Sequence, residues 1–182
     1  MTLPVVTLIG LMGAGKTRVG QTAAALLERP FIDTDALIAA AADKPVAAIF
    51  ADDGEAEFRR LEREAIRSAM ECGGAVVSVG GGAVMETINV NRVRAAGPVV
   101  WLYAEPATLL SRLRRSLQRN DRPLLAQGDP LEVLTRLLEH RHAAYSAAAT
   151  TVLRTDGLEV DQSAALLAAW IRDHATAGVG HD

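Results

Sequence analysis

One stretch of this chain constrains its fold more than any other. Val5 to Ile9 is a run apolar at all positions but Thr7 and rich in β-branched residues, and it leads into Gly10-Leu11-Met12-Gly13-Ala14-Gly15-Lys16-Thr17. Such a run suits a strand buried on both faces, the condition of a parallel sheet covered by helices. The glycines after it let the backbone curl so that successive N–H groups converge, in front of the positive end of the following helix. The spacing is G-x-x-x-x-G-K-[ST] in full, and its chemistry is phosphate binding. Lys16 supplies a mobile charge to the β- and γ-phosphates, and the Thr17 hydroxyl can ligate Mg²⁺. A chance glycine turn need not stand between a buried strand and a helix, as this one does. Gly20, one turn into that helix, reads as a small residue for close packing on the sheet.

The rest of the chain alternates in the same way. A helix from Lys16 to about Glu28 ends before Pro30, and Phe31-Ile32 opens a short second strand that stops at Asp33. Residues from about Ala36 to Met70 read as helical, with breaks near Pro45 and Gly54. Ala75 to Val79 is a third buried strand running into Gly80-Gly81-Gly82, and Val99 to Tyr103 is a fourth, followed by a helix opened by Glu105-Pro106. Ser116 to Gly128 carries the loop signals Asn120-Asp121 and Arg122-Pro123. Leu131 to Tyr145 is helical, Thr150 to Leu153 a last strand and Val160 to about His174 a last helix, with a frayed tail from Gly178. Alternation of this kind predicts an α/β domain, a parallel sheet with helices on both faces. Ligands in that architecture bind at the carboxyl ends of the strands, where the glycine and acidic motifs fall.

Composition narrows the function. The 182 residues, 49% hydrophobic and 23% charged, make one domain whose core needs neither a disulfide nor a structural metal. Cys72 is the sole cysteine, which fits a reducing compartment. A net charge of −3 argues against general nucleic-acid binding. No stretch approaches the ~20 apolar residues of a membrane span, and no basic leader precedes the first apolar run. The expectation is a soluble cytoplasmic protein with neither a nucleic-acid nor a membrane partner.

Within the phosphate-binding class, no Asn-Lys-x-Asp guanine segment is present, and the third strand ends in three glycines rather than in the lone Asp of a motor or transporter ATPase. Asp33 and Asp35 stand at the tip of the second strand, where strand alternation would send both carboxylates the same way. One could sit near a metal and the other near an acceptor hydroxyl; alternatively, Asp33 or Thr34 caps the next helix. Gly80-Gly81-Gly82 removes side chains where a polyhydroxylated ligand could approach the backbone. Arg112, Arg114, Arg115, Arg119 and Arg122 form a basic segment, either a solvated helix face or a cluster aimed at phosphates. His140 and His142 flank Arg141 two apart on a helix, too far round to share a metal, and read as surface residues.

Taken in order, Gly10 to Thr17, Phe31-Ile32-Asp33-Thr34-Asp35, Ile49-Phe50, Gly54-Glu55 with Phe58-Arg59 and Glu62, Gly80-Gly81-Gly82-Ala83, and Arg122-Pro123-Leu124-Leu125 resemble shikimate kinase, from about Leu3 to Tyr145. The resemblance implies a P-loop three-layer α/β/α fold with a five-stranded parallel sheet. It also implies a helical substrate-binding insertion at about 34–62 and a mobile lid at about 114–128. The implied reaction is ATP- and Mg²⁺-dependent phosphorylation of the shikimate 3-hydroxyl, by a monomer. Gly13, Ala14, Gly15, Lys16, Thr17, Arg18, Arg115 and Arg122 would meet the nucleotide, and Thr17 and Asp33 the metal. Asp35, Phe50, Phe58, Arg59, Gly81, Gly82 and Arg141 would form the acceptor site, with Lys16, Asp35 and Arg122 the catalytic groups. A carboxylate beside a metal and arginines is a weak base, so orienting the hydroxyl is the first role of Asp35.

Some positions depart from the family pattern. Arg18 replaces a second Ser or Thr, Ala39 a frequent Glu, and Ala143 the proline between the late arginine and its tyrosine; Asp43 stands near a usual glycine. The segment around Thr155-Asp156-Gly157 lacks an arginine seen in some members. Two other readings stay open: a kinase of the same architecture acting on another hydroxy acid such as gluconate, and a non-catalytic nucleotide-binding homologue.

Overall fold

The computed structural model describes residues 3–117 and 128–175. Five strands, β1 (Val6–Ile9), β2 (Phe31–Asp33), β3 (Val76–Ser78), β4 (Val99–Tyr103) and β5 (Thr151–Arg154), form one sheet in the order β2-β3-β1-β4-β5. Every pairing is parallel. The apolar runs are the reason. β1 and β3 are buried along their whole length, so helices must cover both faces, and the less buried β2 and β5 lie at the edges.

The helices are α1 (Lys16–Leu26), α2 (Thr34–Ala42), α3 (Val46–Asp52), α4 (Gly54–Met70), α5 (Thr87–Ala96), α6 (Pro106–Leu117), α7 (Pro130–Ala148) and α8 (Val160–Ala175), with a single 3₁₀ turn at Ala83–Met85. Helices α1 and α8 pack on each other, as do α4 on α5 and α6 on α7. Adding a Cβ to Gly20 would bring it to 2.8 Å from Leu8 and 2.6 Å from the Phe31 ring, so α1 lies on the sheet as closely as a bare backbone allows.

Sequence and structure differ at several boundaries. α2 starts at Thr34 rather than Ala36, because the Asp33 carboxylate accepts the Asp35 N–H and caps it. α1 stops at Leu26 rather than near Glu28, and α6 continues past Ser116 to Leu117. Between β2 and β3, Ile38, Ile49, Phe58 and Ala65 from α2, α3 and α4 close a second, small core apart from the main one.

Register brings the motifs together. Asp33 of β2 pairs with Ser78 of β3, which lies level with Leu8 of β1. The three chains therefore leave the sheet side by side, and Asp35, Gly80 and Gly10 all sit two residues beyond that row. Sequence separation disappears at this edge.

Candidate active site

A cavity of about 650 Å³ opens over that edge, reaching from the glycine turn and α1 to α4 and α7. At one end is the turn before α1. Gly10 has φ +139°, and a side chain there would run into the Leu102 carbonyl, so only glycine fits. The Lys16 ammonium donates to the carbonyls of Gly10 at 2.8 Å and Leu11 at 3.2 Å, which holds it across the turn. The Thr17 hydroxyl donates to Asp33 Oδ2 at 2.7 Å, while Asp33 Oδ1 is taken by the cap of α2. One oxygen of Asp33 thus caps α2, as one of the two readings had it, while the other holds the Thr17 hydroxyl. Asp35 does not project from a strand at all: it lies in the first turn of α2, and helix geometry rather than strand alternation turns it to the cavity.

The other end is made of side chains. α4 buries Phe58, Glu62, Ala65, Ile66 and Ala69, a stripe at helical spacing in which Glu62 stands where an apolar residue would be expected. Glu62 is 1% exposed and accepts from Arg59 Nη1 at 2.6 Å through Oε2. Its Oε1 has no hydrogen-bond partner among the described residues. Burial, with smaller repulsions from Asp35 and Glu86, raises the Glu62 carboxyl above the usual carboxylate range, against the pull of Arg59. Arg59 is held a second time by Glu55, at 3.2 Å from Nη2, and its guanidinium lies 5.5 Å from the Phe58 ring centre. Phe58 in turn stacks obliquely on the half-exposed Phe50, with ring centres 4.3 Å apart.

The three glycines lie between these carboxylates and guanidiniums. A Cβ on Gly80 would sit 2.9 Å from Glu62 Oε1 and 3.1 Å from Asp35 Oδ1, and one on Gly82 would sit 3.1 Å from both terminal nitrogens of Arg59. Side chains here would displace the charged groups that line the cavity. From α7, Arg141 Nη1 and the Tyr145 hydroxyl both donate to the Gly81 carbonyl, at 3.0 and 2.6 Å. Arg141 reaches the cavity although Ala143 stands in place of a proline, because α7 runs unbroken through it.

At the far side, Arg112 of α6 donates to the Thr155 hydroxyl at 2.9 Å and to the Thr155 carbonyl, fixing the loop between β5 and α8. Arg18 and Glu159 border both the main cavity and a smaller one of about 310 Å³ beside α1 and α8.

Comparisons with known proteins agree with this geometry. A family model described as shikimate kinase matches residues 12–172. A shikimate kinase of Symbiobacterium thermophilum is 47% identical over 152 residues, covering 83% of this chain and 86% of the relative. One from Paramagnetospirillum magneticum is 42% identical, covering 83% of this chain and 76% of the relative. The chain belongs to the shikimate kinase family.

The solved structure of a shikimate kinase from Acinetobacter baumannii in complex with shikimate superposes with TM-score 0.88 at 32% identity, covering 95% of both chains. A gluconokinase from Sinorhizobium meliloti superposes with TM-score 0.55 at 16% identity, a likeness of fold alone. As a member of the shikimate kinase family the chain is a kinase with ATP as co-substrate. Gly13, Ala14, Gly15, Lys16, Thr17, Arg18, Asp33, Asp35, Phe50, Phe58, Arg59, Gly81, Gly82 and Arg141 all border the one cavity. Arg122 and the side chain of Arg115 lie outside the described residues, as do most of the expected lid and the tail from Gly178. Sequence reasoning assigned no role to Glu62 or Tyr145, and it placed Arg112 only within a basic segment read as a solvated helix face or a phosphate-directed cluster, not against Thr155. The signal for Glu62 was its place within the apolar stripe of α4; Tyr145 shares a stripe of α7 with Leu134, Leu138 and Ala148. Arg112 gave no signal that set it apart from its neighbours.

Proposed function

We infer that this chain transfers the γ-phosphoryl group of ATP to the 3-hydroxyl of shikimate. The observation that carries this reading is the joining, in one cavity, of a phosphate-binding turn to an acceptor end with two arginines, Arg59 and Arg141, around bare glycine backbone. A ring that bears both hydroxyls and a carboxylate fits that end, because each guanidinium offers paired, charge-assisted donors.

Phosphoryl transfer asks a protein mainly to align groups and to stabilise charge. The turn's N–H groups and Lys16 take the phosphates, and Lys16 exchanges its bonds to the Gly10 and Leu11 carbonyls for phosphate oxygens. Asp35 orients the attacking hydroxyl and accepts its proton as the bond to phosphorus forms. Arg18, exposed on α1 beside Thr17, lies on the nucleotide side. Arg122 and Arg115 belong, on this reading, to the lid over the phosphates, which shields the transfer from water.

Mg²⁺ suits the donors present. Thr17 and Asp33 bring a hydroxyl and a carboxylate to within 2.7 Å of each other, both hard oxygen ligands. No group of three or more His, Cys, Asp or Glu that could hold a metal is found among the described residues. An Mg²⁺ held by Thr17 and Asp33 would keep waters and take substrate phosphates as its other ligands. Bound there, Mg²⁺ would neutralise charge developing on the phosphate oxygens. No helix among the described residues is long and apolar enough to cross a membrane.

The test is ADP release with Mg²⁺-ATP and, in turn, shikimate, gluconate, quinate or no acceptor. Turnover with shikimate alone is expected. Turnover with gluconate or quinate and not shikimate would overturn the acceptor assignment, and ATP binding with no turnover on any acceptor would overturn the enzyme.

A further inference from the structure

Tyr145 is fully buried on α7, four residues beyond Arg141, and so lies above it on the same face of the helix. The phenol donates at 2.6 Å to the Gly81 carbonyl, and Arg141 Nη1 donates to the same oxygen at 3.0 Å. A peptide unit is planar and trans, so a carbonyl fixed in one direction sends the next residue's N–H the opposite way. Here that N–H belongs to Gly82, which borders the cavity next to Arg59. Among the described residues no acceptor takes it. The peptide is flanked by glycine on both sides, so little in the local backbone resists a flip about its axis. A flip would bring a carbonyl into the acceptor end and deprive Arg141 of its anchor.

We propose that Tyr145 is a positioning residue of the acceptor site: its hydroxyl locks the Gly81–Gly82 peptide with the carbonyl turned out and the Gly82 N–H turned in toward an acceptor oxygen. The rest of the ring is held independently. It lies 5.3 Å from the Trp101 ring, in the wall between β4 and α7. Burial raises the phenol above its ordinary range, so it remains a donor across the working pH. The phosphate end adjoins this peptide, since a Cβ on Gly81 would lie 3.3 Å from the Gly10 carbonyl, but no hydrogen bond between the two is seen among the described residues, and the main effect of losing the Tyr145 bond falls on the acceptor.

Tyr145→Phe removes the hydroxyl and keeps the ring. Steady-state rates with each substrate varied in turn should show the KM for shikimate raised about 2- to 12-fold, the range for one lost hydrogen bond. The KM for ATP and kcat at saturation should stay within about two-fold. In an Arg141→Ala background the same substitution should have a different effect, because both donors meet on one oxygen. An unchanged shikimate KM, or equal rises for both substrates, would overturn the proposal. If Tyr145→Phe does not fold, the ¹H–¹⁵N resonance of Gly82 in the wild-type protein decides: it should move on adding shikimate, and a resonance that stays still would overturn the lock. The proposal rests on shikimate as acceptor. That reading fails if the wild type does not turn it over, whereas the lock fails on the variant or on the Gly82 signal alone.

Discussion

The two ends of the cavity are built on different principles. The phosphate end is one continuous stretch, Gly10 to Thr17, and most of what it offers is main chain: N–H groups, a helix terminus and glycines that permit the turn. The acceptor end is assembled from α2, α4, the triple glycine and α7, and what it offers is side chains held by other side chains. Arg59 is fixed by Glu62 and Glu55, and Arg141 shares a carbonyl with Tyr145. The first is insensitive to most side-chain changes because few side chains take part. The second depends on supports that never touch the substrate.

The sharpest way to break this comparison is at Lys16, the cation that the phosphate turn itself carries. Lys16→Ala should lower kcat by on the order of 10²–10³-fold, the loss expected for one donor to transition-state charge. Shikimate binding, measured by calorimetry, should be largely intact, since Lys16 donates to the Gly10 and Leu11 carbonyls of the turn. A large loss of shikimate affinity would show that the ends are not separate. Asp35→Asn comes next, at the junction of the two. It should reduce kcat by on the order of 10²-fold with ATP affinity retained, and an unaffected rate would remove Asp35 from the mechanism.

The same division explains what was legible in the sequence. The sheet was readable because β1, β3 and β4 are continuous apolar runs, and the phosphate end because its residues are consecutive. Asp33 could be placed but not apportioned between capping the next helix and a place near a metal, since both uses ask for the same residue at the same position, and its bond to Thr17 was not foreseen. The acidic pair and the triple glycine could be read from the residues, but Phe50, Phe58, Arg59 and Arg141 only through family resemblance, as their meeting depends on register across β2, β3 and β1 and on where α7 returns. Arg112 was hidden for a related reason. Its partner, Thr155, is 43 residues away, and nothing local distinguishes it from the other arginines of that segment.

On the acceptor side, Arg59→Ala should weaken shikimate binding by on the order of 1.5–3 kcal/mol, the value of a charged hydrogen bond. ATP binding should hardly change. Normal shikimate affinity in that variant would refute the clamp and leave Arg141 as its main cation. The variant also strands Glu62, whose Oε1 already has no hydrogen-bond partner among the described residues. Some loss of thermal stability should therefore accompany the loss of affinity.

The smallest effect concerns the support itself, and its sign is informative. Burial raises the Glu62 carboxyl and the Arg59 pair opposes it, so the folded state holds this proton more tightly than the unfolded chain does. Stability drawn from that proton is fully present below the unfolded carboxylate range and is lost as pH rises through the raised native value. Glu62→Gln abolishes the titration. Wild type should therefore lose stability relative to the variant as pH climbs from the ordinary glutamate range upward, in chemical denaturation at a series of pH values. The opposite slope would mean that the ion pair with Arg59 outweighs burial, and that the clamp is held by attraction rather than at a cost.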